Sequence, residues 1–381
     1  MALTPARVPG MGNCNCMEGI VAIDDDATGT VEPELETDPC MRAHEYSSST
    51  LSMFLVMAPI VFCICCGHLQ NATPASGIIA DWERTPSNAQ GMKVELGSAY
   101  DALHKRIIAF GGRSENWDNV DETWAYDSST GTWTNLNPAS SPPTRSSHAM
   151  VYDPARGKVL LFGGDDFVRA YNDLWEYDFG LNTWVELSPL NPPPARQMHG
   201  MAYDEEHEVI ILFGGRRTGG GDTFNDTWEY SHRTNSWRSL GPQQSPPVQD
   251  HINLAYDAKH KKTVLFSGPI ARDQSTIGTW VYDHATNNWS TLTTEHTPTG
   301  DHTSLIYNRN AGTMMLFGNS EVTRGLEVWI LDLETPAWAI ARSFSGPSYR
   351  EHFGIAYDED HDVYLLIGGF PNDDNWLLKV Q

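Results

Sequence analysis

Five segments of this 381-residue chain set histidine near arginine or acid, about fifty residues apart: Arg145-Ser-Ser-His148, Arg196-Gln-Met-His199, Asp250-His251, Asp301-His302 and Arg350-Glu351-His352. An imidazole beside a carboxylate can be held in one tautomer and can move a proton near neutral pH. A guanidinium can clamp a carboxylate with two parallel hydrogen bonds. Around one channel mouth, these groups would form a polar ring able to hold a ligand. In the last three an acid stands beside the histidine, and these are the better candidates for function. A further acid recurs two residues before a tryptophan, at Glu122, Asp173, Asp226, Glu327 and Asp374. A residue repeated in so many units serves the repeat, so it reads as a turn contact.

The elements that position these residues follow from the tryptophans. Twelve of thirteen fall on a lattice with pairs nine residues apart: Trp124/Trp133, Trp175/Trp184, Trp228/Trp237, Trp280/Trp289 and Trp329/Trp338. Trp376 has no following partner before Gln381, and Trp82 stands unpaired at the other end. A ring accounts for both. Tyr100, Tyr152, Tyr203, Tyr256, Tyr307 and Tyr357 keep step, 50 to 53 residues apart, and each is followed by Asp or Asn. Eleven residues after each Tyr comes Gly111, Gly163, Gly214, Ser267, Gly318 or Gly368. Each unit reads as four short strands, as in HAMVYD, GKVLLFGG, DLWEYDF and NTWVELS, because short apolar runs are bounded by Gly, Asp, Asn and Pro and no helical period is sustained. Six such units predict an all-β, six-bladed β-propeller whose last blade is closed by the N-terminal strand around Trp82. Small residues three before each Tyr suit strands converging on an axis, and the mostly large apolar ones two before it (Met150, Met201, Leu254, Leu305, Ile355) suit packing between blades.

On these Tyr-Asp, Gly-Gly and paired-Trp positions, residues 81 to the C-terminus resemble the kelch-repeat family. Units four and five depart from it, with Ser267-Gly268 and Gly318-Asn319 in place of Gly-Gly. The resemblance implies that Arg and His before each unit link neighbouring loops. A weaker resemblance, in blade count and an export signal, is to the bacterial sialic-acid mutarotases. It implies an acid/base pair from Glu351, His302 or His352, with Arg145, Arg196 or Arg350 on the substrate carboxylate.

Loop lengths point to one working rim. The Tyr-to-Gly and Trp-to-Trp turns are fixed in length, whereas the connections from second to third strand vary and share the opposite rim with the blade-to-blade connections. Variable loops on a fixed scaffold are where recognition sits. They include residues 113–121, with the off-lattice Trp117, either a contact residue or packed on a neighbouring loop.

Composition narrows the function. Forty-nine acidic and 25 basic side chains give a net charge of -24, which argues against nucleic acid and anionic membrane as partners. All six cysteines precede the repeats (Cys14, Cys16, Cys40, Cys63, Cys65, Cys66), so the ring has no disulfide and lacks the thioether cysteine of galactose oxidase-type copper chemistry. No catalytic, cofactor or metal-binding motif stands in the sequence. Residues 1–50 read as a disordered tail or an over-extended N-terminus, 51–77 as an apolar signal-like segment with a linker, and 78–381 as the propeller. The run 51–66 is short for a membrane span but fits a signal core after Arg42, so export to the periplasm, cell surface or medium is expected, with a cytoplasmic location as the alternative. Membrane attachment would come only through that signal or a lipid anchor at Cys65 or Cys66. The expected function is non-catalytic binding of a protein or glycan by a monomer. The alternatives are an exported sugar-modifying enzyme of mutarotase type and an intracellular adaptor.

Overall fold

The computed structural model describes residues 74–86, 94–219, 222–247, 251–268, 277–298, 301–320 and 323–381. The tail, the apolar run and all six cysteines lie outside the described residues. The described residues hold strands and turns and no helix. The first strand, β1 (Pro74–Thr85), precedes four antiparallel four-stranded sheets. The first sheet is β2 to β5 (Gly97–Asp101, Arg106–Phe110, Thr123–Asp127, Thr132–Asn135), and the second is β6 to β9 (Ala149–Asp153, Lys158–Phe162, Leu174–Asp178, Thr183–Leu187). The third is β10 to β13 (Gly200–Asp204, Val209–Phe213, Thr227–Ser231, Ser236–Ser239), and the fourth is β14 to β17 (Asn253–Asp257, Lys262–Ser267, Gly278–Asp283, Asn288–Leu292). The remaining strands are β18 to β21 (Asp301–Asn308, Thr313–Asn319, Leu326–Leu331, Trp338–Ser343) and β22 to β24 (Gly354–Asp358, Val363–Ile367, Asn375–Val380).

These last seven strands join β1 in one eight-stranded sheet, ordered β18-β19-β20-β21-β1-β24-β23-β22. The sequence places β1 as the outer strand of the last unit, and its antiparallel pairing with β24 sets Trp82 against Leu378 and Arg84 against Trp376. The same strand also runs parallel to β21, with Ile79 opposite Arg342 and Ala80 opposite Ser343. This second pairing is unexpected from the sequence. It arises because β1 is 12 residues long and offers both of its edges.

The core lies between sheets. Leu96, Ile107 and Trp133 pack with Ala356, Leu365 and Ile367, joining the first sheet to the strands at the C-terminus. Similar clusters join each sheet to the next. The fourth-strand tryptophans Trp184, Trp237, Trp289 and Trp338 are buried in these layers. Trp184, Trp289 and Trp338 donate their indole N–H at 2.9 Å to a threonine of the preceding sheet, Thr123, Thr227 and Thr279. A large apolar ring with one polar atom thus buries its area without stranding that atom. The first strands lie side by side in chain order, and β22 lies beside β2. The tyrosines bind across the same seams. Tyr152 accepts from the backbone N–H of Leu103, and Tyr100 donates to Asp360 at 2.6 Å, joining beginning to end. At the 1–2 turns, the Asp after the Tyr holds a histidine three residues on. The pairs are Asp101–His104, Asp204–His207, Asp257–His260 and Asp358–His361, at 2.7–2.9 Å.

Candidate functional site

One position governs the mouth of the axial channel. The residue five before each repeat tyrosine is Glu95, Ser147, Met198, His251, His302 or His352, and all six adopt a left-handed backbone with φ between 44° and 57°. That conformation lets the connections chain their backbones around the axis. Glu95 N–H donates to His352 O at 2.8 Å, Ser147 N–H to Glu95 O at 2.9 Å, and Met198 N–H to Ser147 O at 2.8 Å. Non-glycine residues hold such conformations only where their surroundings fix them, and such positions gather at binding sites.

The side chains of this ring define a site. The imidazoles of His251 and His352 lie with centroids 5.4 Å apart, His302 and His352 5.1 Å, and His251 and His302 6.3 Å. Glu351 reaches His302 Nε2 at 3.8 Å, and its other oxygen accepts from the Tyr349 hydroxyl at 2.9 Å. Glu95 faces His352 Nδ1 at 3.7 Å, while its second oxygen takes Arg113 at 2.7 Å and the Ser147 hydroxyl at 2.9 Å. Burial holds the His352 imidazolium down, to a pKa of about 4, helped by the two neighbouring histidines and opposed by Glu95. A cavity of about 180 Å³ reaches inward from these histidines, and a second of about 540 Å³ opens outward between them, Arg113, Asp165 and Phe167.

The sequence candidates divide. His251, His302, His352 and Glu351 stand together at the mouth. Asp250 lies outside the described residues, and Asp301 is placed only by its backbone in β18. Arg145, Arg196 and Arg350 are fully buried and do not line either cavity. Arg145 grips Asp173 through two bonds of 2.7 Å, Arg196 grips Asp226 at 2.7 and 2.9 Å, and Arg350 reaches Asp374 at 3.0 Å. The recurrent acid is therefore the partner of the recurrent arginine. It also accepts the indole N–H of Trp175 or Trp228, at Asp173 and Asp226. A carboxylate-binding role for these arginines, as a mutarotase-type site would need, has no free guanidinium behind it.

His148 and His199 sit one residue later in register than the mouth histidines, and their rings turn into the sheet seams. They lie edge-on to Phe110 and Phe162, at 5.6 and 5.5 Å. A side chain at Gly97 would meet the His148 ring at 2.6 Å, so the small residue there is required by the neighbouring sheet. Burial, reinforced by Arg145 and Arg196, holds both imidazoles neutral, with His199 at about 3. The unfolded chain then takes up protons below pH 6.5 that the native protein refuses, so stability is full above that pH and is lost as it falls. The expected loss is about 1.4 kcal/mol per histidine per pH unit. Urea unfolding at about pH 7 and about pH 5.5 checks it, because His199→Gln should flatten the slope; equal slopes would remove these histidines as its source.

Trp117 is 45% exposed and also packs on Phe370, with centroids 5.4 Å apart. Arg113 lies 5.8 Å from the Trp117 ring centroid and 4.2 Å from that of Phe167. Phe370, Trp117 and Phe167 thus form one exposed aromatic strip beside the mouth, packed around the mostly buried Arg113 and drawn from three neighbouring second-to-third-strand loops. The far mouth of the axis is different. There Arg309 reaches both Glu205 and Glu359 and bridges a cavity of about 470 Å³.

Sequence reasoning missed Glu95 and Arg113. Glu95 belongs to the ring by its offset from Tyr100, but no histidine or arginine flags its segment. Counting back from each tyrosine, rather than out from each Arg, would have found it and separated His148 and His199 from the other three.

An all-β array with sheets packed face to face around an axis is the architecture of a β-propeller. The KLHDC2/KLHL20/DRC7 Kelch-repeats domain matches residues 81–256 and 186–369, and the chain belongs to the kelch-repeat family. It is similar to Adagio-like protein 1 of Oryza sativa subsp. japonica, 24% identical over 308 residues, covering 73% of this chain and 47% of the relative. It is also similar to Mei4-dependent protein 6 of Schizosaccharomyces pombe, 26% identical over 187 residues, covering 45% of this chain and 26% of the relative. The chain thus spans about half or less of the length of these curated relatives.

Proposed function

We propose that the chain is a six-bladed propeller that recognises a partner protein, without catalysis, on the rim carrying the second-to-third-strand loops. The eight-stranded sheet then counts as two blades stitched by β1, a reading supported by the unbroken circuit of first strands from β2 to β22. The observation that carries the binding reading is the exposed strip of Phe370, Trp117 and Phe167 around Arg113. Three aromatic residues about half exposed leave apolar area in water that a partner would cover, and aromatic and arginine side chains are the usual anchors of interfaces. The strip borders the open mouth, whereas the opposite mouth is crossed by its own ion pairs.

A photo-crosslinking residue placed at Phe167 should capture a polypeptide from the native cell. The same residue at Leu103, more exposed and on the opposite rim, should not. Trp117→Ala should reduce the capture at Phe167. Equal capture from both rims, or none from Phe167, would count against this reading.

A further inference from the structure

The trio His302, Glu351 and His352 offers donor atoms that all lie within 4.8 Å of one another. They come from adjacent connections, none is more than a third exposed, and the two histidines line a cavity. We propose that His302, His352 and Glu351, with His251 as a fourth donor, bind a divalent transition-metal ion of the zinc type at the axial mouth. This site is independent of the aromatic strip and goes beyond partner recognition.

Four observations carry it. The donor set is two or three imidazoles and one carboxylate, which suits Zn²⁺, Co²⁺ and Ni²⁺ and does not suit Mg²⁺ or Ca²⁺. Tetrahedral ligands on zinc sit about 3.4 Å apart, so the three groups need only side-chain rotation to close on an ion. The positions are set by backbone, since His251, His302 and His352 share one left-handed conformation, and the His352 carbonyl accepts from the Glu95 N–H in the chain of connections. Two of the donors, His352 and Glu351, also have a supporting partner. Glu95 faces His352 Nδ1 and is itself held by Arg113 and Ser147, the carboxylate–histidine arrangement that orients metal-binding imidazoles through the other ring nitrogen. Tyr349 holds the remaining oxygen of Glu351. An ion here would keep a coordination position toward the cavity, open to water or to a donor from a docked partner.

The test is competition for Zn²⁺ against a chromophoric chelator, using the full chain. His302 and His352 are changed together to Asn, which tolerates the left-handed backbone but lacks the imidazole. The parent should bind one more equivalent of Zn²⁺ than this double variant, and excess Mg²⁺ should not displace it. Glu351→Gln, with unchanged melting in the absence of metal, should weaken the ion by about tenfold or more. Loaded with Co²⁺, the parent should gain visible bands without thiolate charge transfer, and the double variant should lose them. Equal zinc stoichiometry in parent and double variant, or cobalt bands carrying thiolate character and surviving the double substitution, would overturn the site.

Discussion

Replacing Trp82 with alanine lowers the melting temperature of the whole ring by roughly 10 °C. The residue is 6% exposed, and its ring meets Phe317 edge-on at 6.3 Å. Its neighbour Gly346 has no room for a side chain, since an added Cβ would stand 2.8 Å from the indole. Truncating such a residue removes about 3–5 kcal/mol of buried contact and leaves a cavity. The effect extends beyond one sheet because β1 is held on both edges, by β24 and by β21. Loosening β1 therefore exposes two strand edges and the apolar layer around Leu378, Phe317 and Ala341. Deleting residues 74–85 should be worse, leaving material without a cooperative transition. Thermal unfolding followed by circular dichroism checks both changes. A melting point within about 2 °C of the parent for Trp82→Ala would show that the two ends do not support each other.

The tryptophan lattice made this legible. Large residues at a fixed spacing of nine mark the third and fourth strands, since the tight hairpin sets the fourth-strand tryptophan opposite the tyrosine two residues after the third-strand one, as Trp133 faces Tyr126. Trp82 could be assigned to β24 because a lattice missing one point at each end has one way to close. What the lattice could not give was the outer edge of β1. Strand pairing beyond the repeat depends on how far the chain runs, and Pro74–Ile79 carry no repeat mark. The mouth was half legible for a similar reason. A shift of one residue along an extended segment turns the side chain to the other side. Histidines at four and five residues before the tyrosine therefore look alike in sequence, yet His251, His302 and His352 line both cavities of the mouth, whereas His148 and His199 border only the inner one and pack on Phe110 and Phe162. The arginines and the acids before tryptophan were both recognised as repeated. That they satisfy each other was not visible, because 28 or 30 residues separate the partners.

That pairing supplies the second large effect. Arg196→Ala should destabilise the protein by about 3–5 kcal/mol, well beyond an ordinary surface ion pair. The guanidinium is fully buried and spends its donors on Pro194 O at 3.0 Å, Gly214 O at 2.9 Å and both oxygens of Asp226. Its plane lies 4.3 Å from the ring of Phe224. Removing it strands the Gly214 carbonyl and a largely enclosed carboxylate together. Burial pushes the Asp226 carboxyl up, but the bonds and charge of Arg196 outweigh it and hold the pKa below the ordinary carboxylate value. Without the arginine the burial is opposed only by the Trp228 indole and a backbone hydrogen bond, so the Asp226 carboxyl pKa should rise in the variant. Arg196→Lys should recover little, because one ammonium cannot make the forked contact. Asp226→Asn should cost less than Arg196→Ala, since it keeps an acceptor for the guanidinium and for the Trp228 indole. The paired change Arg196→Ala with Asp226→Ala should be milder than the sum of the two single losses, as expected of groups in direct contact. Strict additivity in denaturant unfolding would mean that each residue acts alone.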